Sequence, residues 1–391
     1  MNTHKIFNTP LFNLGFRVFF ALAGLSALIL IVLWNAIFNG HLNTQNYFHS
    51  NYWHAHEMLI GYSVAVISGF LLTAVKNWTG KATLSGDRLA GLAILWLYGR
   101  ILPFYANSLP DGIIAFVDFI FLPILIYQIS KPIIQTKYYP ASVFIVLLLL
   151  LTLGNGLIHA QMLDIYQNTA DSGIKLLVAT LVVLILILAG RVLPFFVEKG
   201  LSGIIIIRNP LFDTLSIGSA LLTFTLMLSN SSHILLGLAA LTATVSNGLR
   251  LFSWYVQRIW YVPLLWILFA GYCWIILGFF LSSLAAFNWV NPTLALHAFT
   301  IGGIGVLTLG MMARVSLGHT GRTLKASNAM ALAFVLINLT VIIRVLLPIV
   351  FPQWYNFLMY ASTVSWLTAF SLFMFVYAPI LNSSRIDGLE G

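Results

Sequence analysis

Trp53 to Lys81 reads WHAHEMLIGYSVAVISGFLLTAVKNWTGK, and its reading decides the fold. Two histidines and a glutamate open it. From Met58 to Val75 there is no charge, and Lys76 and Lys81 close it. At about 1.5 Å per residue such a run crosses a bilayer core as a helix. The pattern recurs. Gly61 and Gly69 follow His56 at the same intervals as Gly302 and Gly310 follow His297, and Thr79-Gly80-Lys81 is matched by Thr320-Gly321-Arg322. Two like-oriented membrane helices therefore each open with a histidine at the same depth, as a pair of facing ligands would.

Around this stretch the composition is that of a polytopic membrane protein. Of 391 residues 60% are hydrophobic and 7% charged, too apolar for a soluble chain of this length. The net charge of +9 is spread over short loops without a basic stripe, which argues against nucleic acid as a partner and leaves the lipid bilayer. The single cysteine, Cys273, excludes an internal disulfide and multi-cysteine metal sites.

The hydropathy pattern predicts an all-α fold, one membrane domain over 1–391 with twelve transmembrane helices. They lie near Arg17–Phe38, Ala55–Val75, Arg88–Ala106, Gly112–Ser130, Ala141–Ala160, Gly173–Phe196, Pro210–Leu228, Ser232–Phe252, Tyr261–Leu281, Thr293–Ala313, Ala326–Leu347 and Tyr355–Tyr377. The first run is long enough to be retained rather than cleaved as a signal peptide. All but three of the 19 basic residues, Lys5 and Arg17 to Arg385, fall on one side. The positive-inside rule makes that side cytoplasmic, with both termini on it.

The exceptions are Arg100, Lys175 and Arg344, in the outer halves of their helices. A charge within a span is costly and by default functional or paired. Lys175 and Arg344 can snorkel outward. Arg100 is deeper, and Asp118 is its candidate partner. Histidines show the opposite asymmetry. His41, His49, His54, His56, His159, His233 and His297 lie on the outer side, and only His4 and His319 on the inner. Histidine is a common metal ligand, although any one of these can be an ordinary helix-end residue.

His54 and His56 lie about 200° apart around a helix and face different ligands. His54 and Met58 share a face, and imidazole with thioether suits copper. His56 and His297 can supply both axial ligands of a non-covalent, b-type haem, since C-x-x-C-H is absent. Arg100 and Arg344 lie at the depth of its propionates. The glycines fit close helix packing better than a bed for a macrocycle. Gly99-Arg100-Ile101-Leu102-Pro103-Phe104 resembles Gly190-Arg191-Val192-Leu193-Pro194-Phe195, at opposite depth, and the sequence gives no physical account of it.

The plan of twelve helices with outer histidines on the second and tenth is distantly similar to haem–copper oxidase core subunits. The sixth and seventh helices lack the copper histidines of that superfamily, which argues against its binuclear centre. Trp53-His54-Ala55-His56-Glu57-Met58, Gly69-Phe70-Leu71-Leu72-Thr73-Ala74, Asn77-Trp78-Thr79-Gly80, Gly190-Arg191, and Leu307 to Val315 with Gly318-His319-Thr320-Gly321-Arg322 resemble the NnrS family. The likeness runs from Pro10-Leu11-Phe12-Asn13-Leu14-Gly15-Phe16-Arg17 to the last helix. It implies haem, copper and a link to nitric-oxide metabolism and nitrosative-stress tolerance in the bacterial inner membrane, without assigning a reaction. A transporter for copper or a small metabolite, and a quinol-linked haem oxidoreductase, are the alternatives. Candidate site residues are His56, His297, Arg100 and Arg344 for haem, and His54, His56, Met58, His159 and His297 for metal.

Overall fold

The computed structural model describes residues 9–42, 46–48 and 50–389; His4, Lys5 and His49 lie outside them. Its long helices are α1 (Gly15–Phe38), α2 (Asn51–Thr79), α4 (Asp111–Thr136), α5 (Tyr139–Met162), α6 (Ala170–Gly200), α7 (Pro210–Leu228), α8 (His233–Ser253), α9 (Pro263–Ala286), α10 (Pro292–His319), α11 (Asn328–Val350) and α12 (Pro352–Asn382). Among the described residues these eleven are long and apolar enough to cross a membrane. The twelfth predicted span is the helix α3, Gly86–Ile101, of 16 residues. It is cut short because a helix does not run on easily into proline. At Pro103 the chain tightens into the 3-10 turn Leu102–Tyr105.

The chain clusters into two compact units. The first holds Met1–Leu177, Val315–Thr323 and Phe373–Gly391; the second holds Val178–Arg314 and Leu324–Leu372. In the first, α1 packs along α2. A Cβ on Gly69 would come within 3.0 Å of the Phe20 ring and 3.1 Å of the Phe16 backbone, so the glycine sets how closely the two helices approach. Helix α4 packs against α2, α3 and α5. In the second unit α8 lies between α7 and α9, and α9 runs beside α10.

The faces follow helical spacing. On α5, Leu148, Leu151, Asn155 and His159 are buried, while Val146, Leu149 and Leu153 are exposed. On α4, Ile114, Asp118, Leu122 and Leu125 are buried, with Ile113 and Phe116 outside. Residues three and four apart share one side of a helix. Asp118, Asn155 and His159 thus occupy positions of the inward stripe that elsewhere hold leucine.

The start of α1 and the end of α12 meet in the first unit. Arg17, fully buried, donates from Nη1 to the carbonyls of Leu381 at 2.9 Å and Ser383 at 2.7 Å. These are the carbonyls that a helix leaves without partners at its C-terminus. The start of α1 and the end of α12 therefore lie together at one end of the unit.

Candidate metal centre

Helix α2 is not α-helical throughout. Glu57–Ser63 is a π-helix that begins at the residue after His56. Ala298–Val306 is another, beginning at the residue after His297. Gly61 and Gly302 each lie inside, so the shared spacing of the two copies marks a shared local widening of the backbone. Arg344 sits in a third such segment, Ile342–Leu346. Short π segments within α-helices are frequent at functional sites.

The wider turn brings His56 and Glu57 inward together, both buried. His56 Nδ1 lies 3.1 Å from Glu57 Oε1. Its Nε2 lies 3.2 Å from Asp118 Oδ2 and 3.0 Å from Asn155 Oδ1. Asn155 Nδ2 donates to Asp118 Oδ2 at 2.9 Å, which fixes its oxygen toward His56. His159 Nε2 reaches the same Asp118 Oδ2 at 2.9 Å. Arg100 donates from Nη1 to Glu57 Oε1 at 3.0 Å and from Nη2 to Asp118 Oδ1. Six residues on four helices, α2 to α5, thus form one cluster centred on the Asp118 carboxylate.

Tyr47 and Phe48 lie against the cluster. Phe48 stacks on the His56 ring with centroids 4.2 Å apart. Tyr47 OH lies 3.1 Å from His159 Nδ1, and its backbone N–H donates to Pro103 O at 2.9 Å. Burial raises the Tyr47 phenol above its ordinary value, with Asp111 adding to the shift, and keeps it a neutral O–H.

His56, Asp118 and His159 each offer a ligand atom, all within 4.8 Å of one another. A cation bound at about 2.0–2.2 Å from nitrogen and oxygen fits such a set. The surroundings fit it too. A metal-bound imidazole usually donates its other N–H to a carboxylate or similar acceptor; here Glu57 faces His56 Nδ1 and Tyr47 faces His159 Nδ1. The fixed charges leave one negative charge in excess, Glu57 and Asp118 against Arg100. Among the described residues Glu57 Oε2 and Arg100 Nε are buried with no hydrogen-bond partner, a costly condition that an added ligand or water relieves.

His54 is elsewhere, stacked on Trp34 with centroids 4.3 Å apart, as the 200° separation from His56 requires. Met58 is partly buried on the π segment. His297 and Arg344 belong to the second unit. His297 Nδ1 donates to Thr293 O at 2.7 Å, so the ring's lone pair is at Nε2. Its segment packs against the one carrying Arg344, whose Nη2 donates to Tyr355 OH at 3.1 Å. A Cβ on Gly302 would meet Trp274 at 2.6 Å, and one on Gly61 would meet Arg100 Nη1 at 3.1 Å. Side chains already cover these glycines, which makes them packing positions rather than a bed for a flat ring.

The second unit has a polar centre of its own, and it explains the repeated Gly-Arg motif. Buried Arg250 donates from Nε to Asp213 Oδ1 at 2.6 Å, and from Nη1 to Leu186 O at 2.9 Å and Tyr272 OH at 3.2 Å. Tyr272 in turn donates to Asn247 Oδ1 at 2.7 Å. Gly99 faces Asp118, and Gly190 faces Arg250 and Asp213. In both motifs the glycine makes room for an arginine–aspartate pair, fully buried at Asp118 and partly exposed at Asp213. Gly99→Ala would set a Cβ 2.9 Å from Asp118 Oδ1, and Gly190→Ala would crowd Arg250 Nη2, which its partners hold in place. Each is expected to cost about 1–3 kcal/mol, as overpacking does. Thermal unfolding in detergent checks this: Gly91→Ala, where a Cβ meets nothing within 4 Å, should stay close to the parent, and equal midpoints for all three would refute it.

Sequence reasoning paired Arg100 with Asp118 but did not place Glu57, Asn155 or Tyr47 in the cluster. Asn155 carried a readable signal, an amide four residues before His159 on an otherwise apolar face. Tyr47 lies on a loop, and no periodicity points to it. No curated protein compared with the chain is similar to it. The family model for the NnrS protein matches residues 10–385. With nearly its whole length covered by that match, the chain belongs to the NnrS family.

Proposed function

We propose that this protein binds nitric oxide, or carries out redox chemistry on it, at metal sites near the outer face of the bacterial inner membrane, and so protects against nitrosative stress. The observation that carries the reading is the buried convergence of His56, Asp118 and His159, each histidine backed by a second polar group. Two imidazoles and a carboxylate suit first-row transition metals, copper and iron among them. The excess negative charge favours copper in its singly charged state. Cu(I) neutralises the cluster, whereas a divalent ion leaves one positive charge for an anionic ligand to balance. When bound, such a metal supplies an electron and a coordination position for a diatomic ligand. Glu57 and Tyr47 orient the two imidazoles, and Phe48 keeps bulk water from them. Haem is the second cofactor of this reading. His297, with Nδ1–H fixed by Thr293, is its axial-ligand candidate and Arg344 its propionate partner. His54 with Met58 remains the candidate for a further copper. The distribution of basic residues puts both termini in the cytoplasm.

The test is metal analysis and an optical spectrum of detergent-purified protein, with and without nitric oxide. Copper or iron is expected, with a spectrum that shifts on adding the gas. The double variant His56→Ala, His159→Ala should lose the ion of the cluster, and His54→Ala should keep it. A buried ion set inside a helical bundle also suits a cation transporter. Colourless protein that takes up copper into proteoliposomes would favour that second reading and overturn the first.

A further inference from the structure

Arg314, in the second unit, is a cation held inside the protein. It is 4% exposed, and its guanidinium lies over the Phe196 ring, 4.0 Å from the centroid. The ring attracts the flat face of the group. It does not neutralise the charge, and it does not engage the N–H bonds, which lie in the plane of the guanidinium. Among the described residues no acceptor takes a hydrogen bond from Arg314 and no carboxylate pairs with it. The other buried arginines are different. Arg100 and Arg250 each pair with an aspartate, and Arg17 is bonded to carbonyls. A buried charge without a partner is costly, and an anion relieves it.

The elements around Arg314 add positive potential. Leu307, Gly310 and Arg314, three and four residues apart, share one side of α10. A Cβ on Gly271 would come 2.5 Å from Leu307, and one on Gly310 would come 2.9 Å from Ile267. The two helices therefore run antiparallel along this stripe, and one turn further on Arg314 is level with Pro263, where α9 begins. The end of α6 is there too: a Cβ on Gly200, one turn beyond Phe196, would come 3.1 Å from Leu265. A helix start is the positive end of the backbone dipole and favours an anion. Val262 puts no side-chain cap on this one. Trp260 and Tyr261, just before it, are 54% and 82% exposed, and such aromatic residues sit at headgroup level in a bilayer.

We propose that Arg314, held on Phe196 and level with the start of α9, binds a phosphate group, carried by an anionic phospholipid or by a soluble anion. Guanidinium pairs with phosphate through two parallel hydrogen bonds. Depth selects phosphate among oxyanions, since headgroup level is where membrane phosphate lies. Phe195, with its ring centroid 5.9 Å from that of Phe196, is exposed, so an aromatic pair runs from the surface to the arginine.

The whole protein, purified in mild detergent, is melted alone and with each of three additions. These are dioleoyl-phosphatidylglycerol, dioleoylglycerol, which has the acyl chains without the phosphate, and sodium phosphate against sodium chloride of equal ionic strength. At least one phosphate source should raise the midpoint, and dioleoylglycerol should leave it unchanged. A rise with phosphatidylglycerol alone names a lipid as the carrier, and a rise with sodium phosphate names a soluble anion. Arg314→Met keeps an unbranched apolar chain on Phe196 and removes the charge. It should need about tenfold more ligand for the same shift, the scale of a lost charge-assisted hydrogen bond. Lys131→Gln with Lys137→Gln, exposed charges of the first unit, should respond like the parent. So should Glu390→Gln, outside the described residues; tighter binding in that variant would make Glu390 the counter-charge of Arg314 and overturn the proposal. No rise with either phosphate source overturns it without need of any variant. So do equal shifts with phosphatidylglycerol and dioleoylglycerol, or an Arg314→Met protein that responds like the parent.

Discussion

Asp118→Ala is expected to destabilise the first unit by about 3–5 kcal/mol, the range for removing one partner of a buried ion pair, and to abolish metal binding there. The size follows from what the carboxylate holds. Arg100 and Asn155 donate to it, and the Nε2 atoms of His56 and His159 both face it. Without it Arg100 keeps a single carboxylate, and both imidazoles lose the oxygen between them. Asp118→Asn preserves shape but not charge and should fall between the two. Thermal unfolding in detergent and metal content of the same preparations check the expectation. An Asp118→Ala protein that melts with the parent and carries the same metal would remove the carboxylate from the centre of the site.

Arg100→Met has the second large effect, with a different signature. It leaves Glu57 and Asp118, 1% and 3% exposed, as two buried carboxylates with no fixed cation, again a loss of about 3–5 kcal/mol. Metal binding should not fall with stability. Removing the guanidinium doubles the excess negative charge, so a divalent cation is held more tightly and restores part of the lost stability. Added copper should therefore raise the melting temperature of Arg100→Met by more than that of the parent. Arg100→Lys keeps the charge but lacks the fork that reaches Glu57 and Asp118 together, so an intermediate loss is expected. An Arg100→Met protein with the parent's melting temperature would mean that the pairing contributes nothing.

Residue order carried the helices almost completely, because lipid-facing spans announce themselves by length and hydropathy. The exception, α3, hinged on Pro103, whose effect is on backbone geometry and not on hydropathy. The site was legible in proportion to how unusual each residue was. Arg100 stood out as a charge within a span, and Asp118 stood out as its partner. Glu57 did not, since it reads as the polar edge of a helix until a π turn draws it inward, and hydrophobic periodicity does not report helix pitch at single-turn resolution. The repeated histidine–glycine spacing was visible, but its cause, the widened turn after each histidine, is a hydrogen-bonding choice of the backbone. The likeness between Gly99-Arg100 and Gly190-Arg191 was visible in the same way. It had no reading until Asp118 and Asp213, from the next helix in each case, came to lie against the glycines.

The clasp between Arg17 and Ser383 has a consequence for how the protein is made. The two residues are 366 positions apart, and the part of α12 from Phe373 onward belongs to the first unit. During synthesis the N-terminal helices enter the bilayer long before the segment that completes their packing exists. Arg17 has to wait, without its native acceptors, at the end of α1 until the final helix arrives. Contacts so distant in sequence form late and slowly, and unfinished units are the ones that misassemble. A partial chain that ends before Phe373 therefore lacks both the acceptors of Arg17 and the helix segment that completes the first unit.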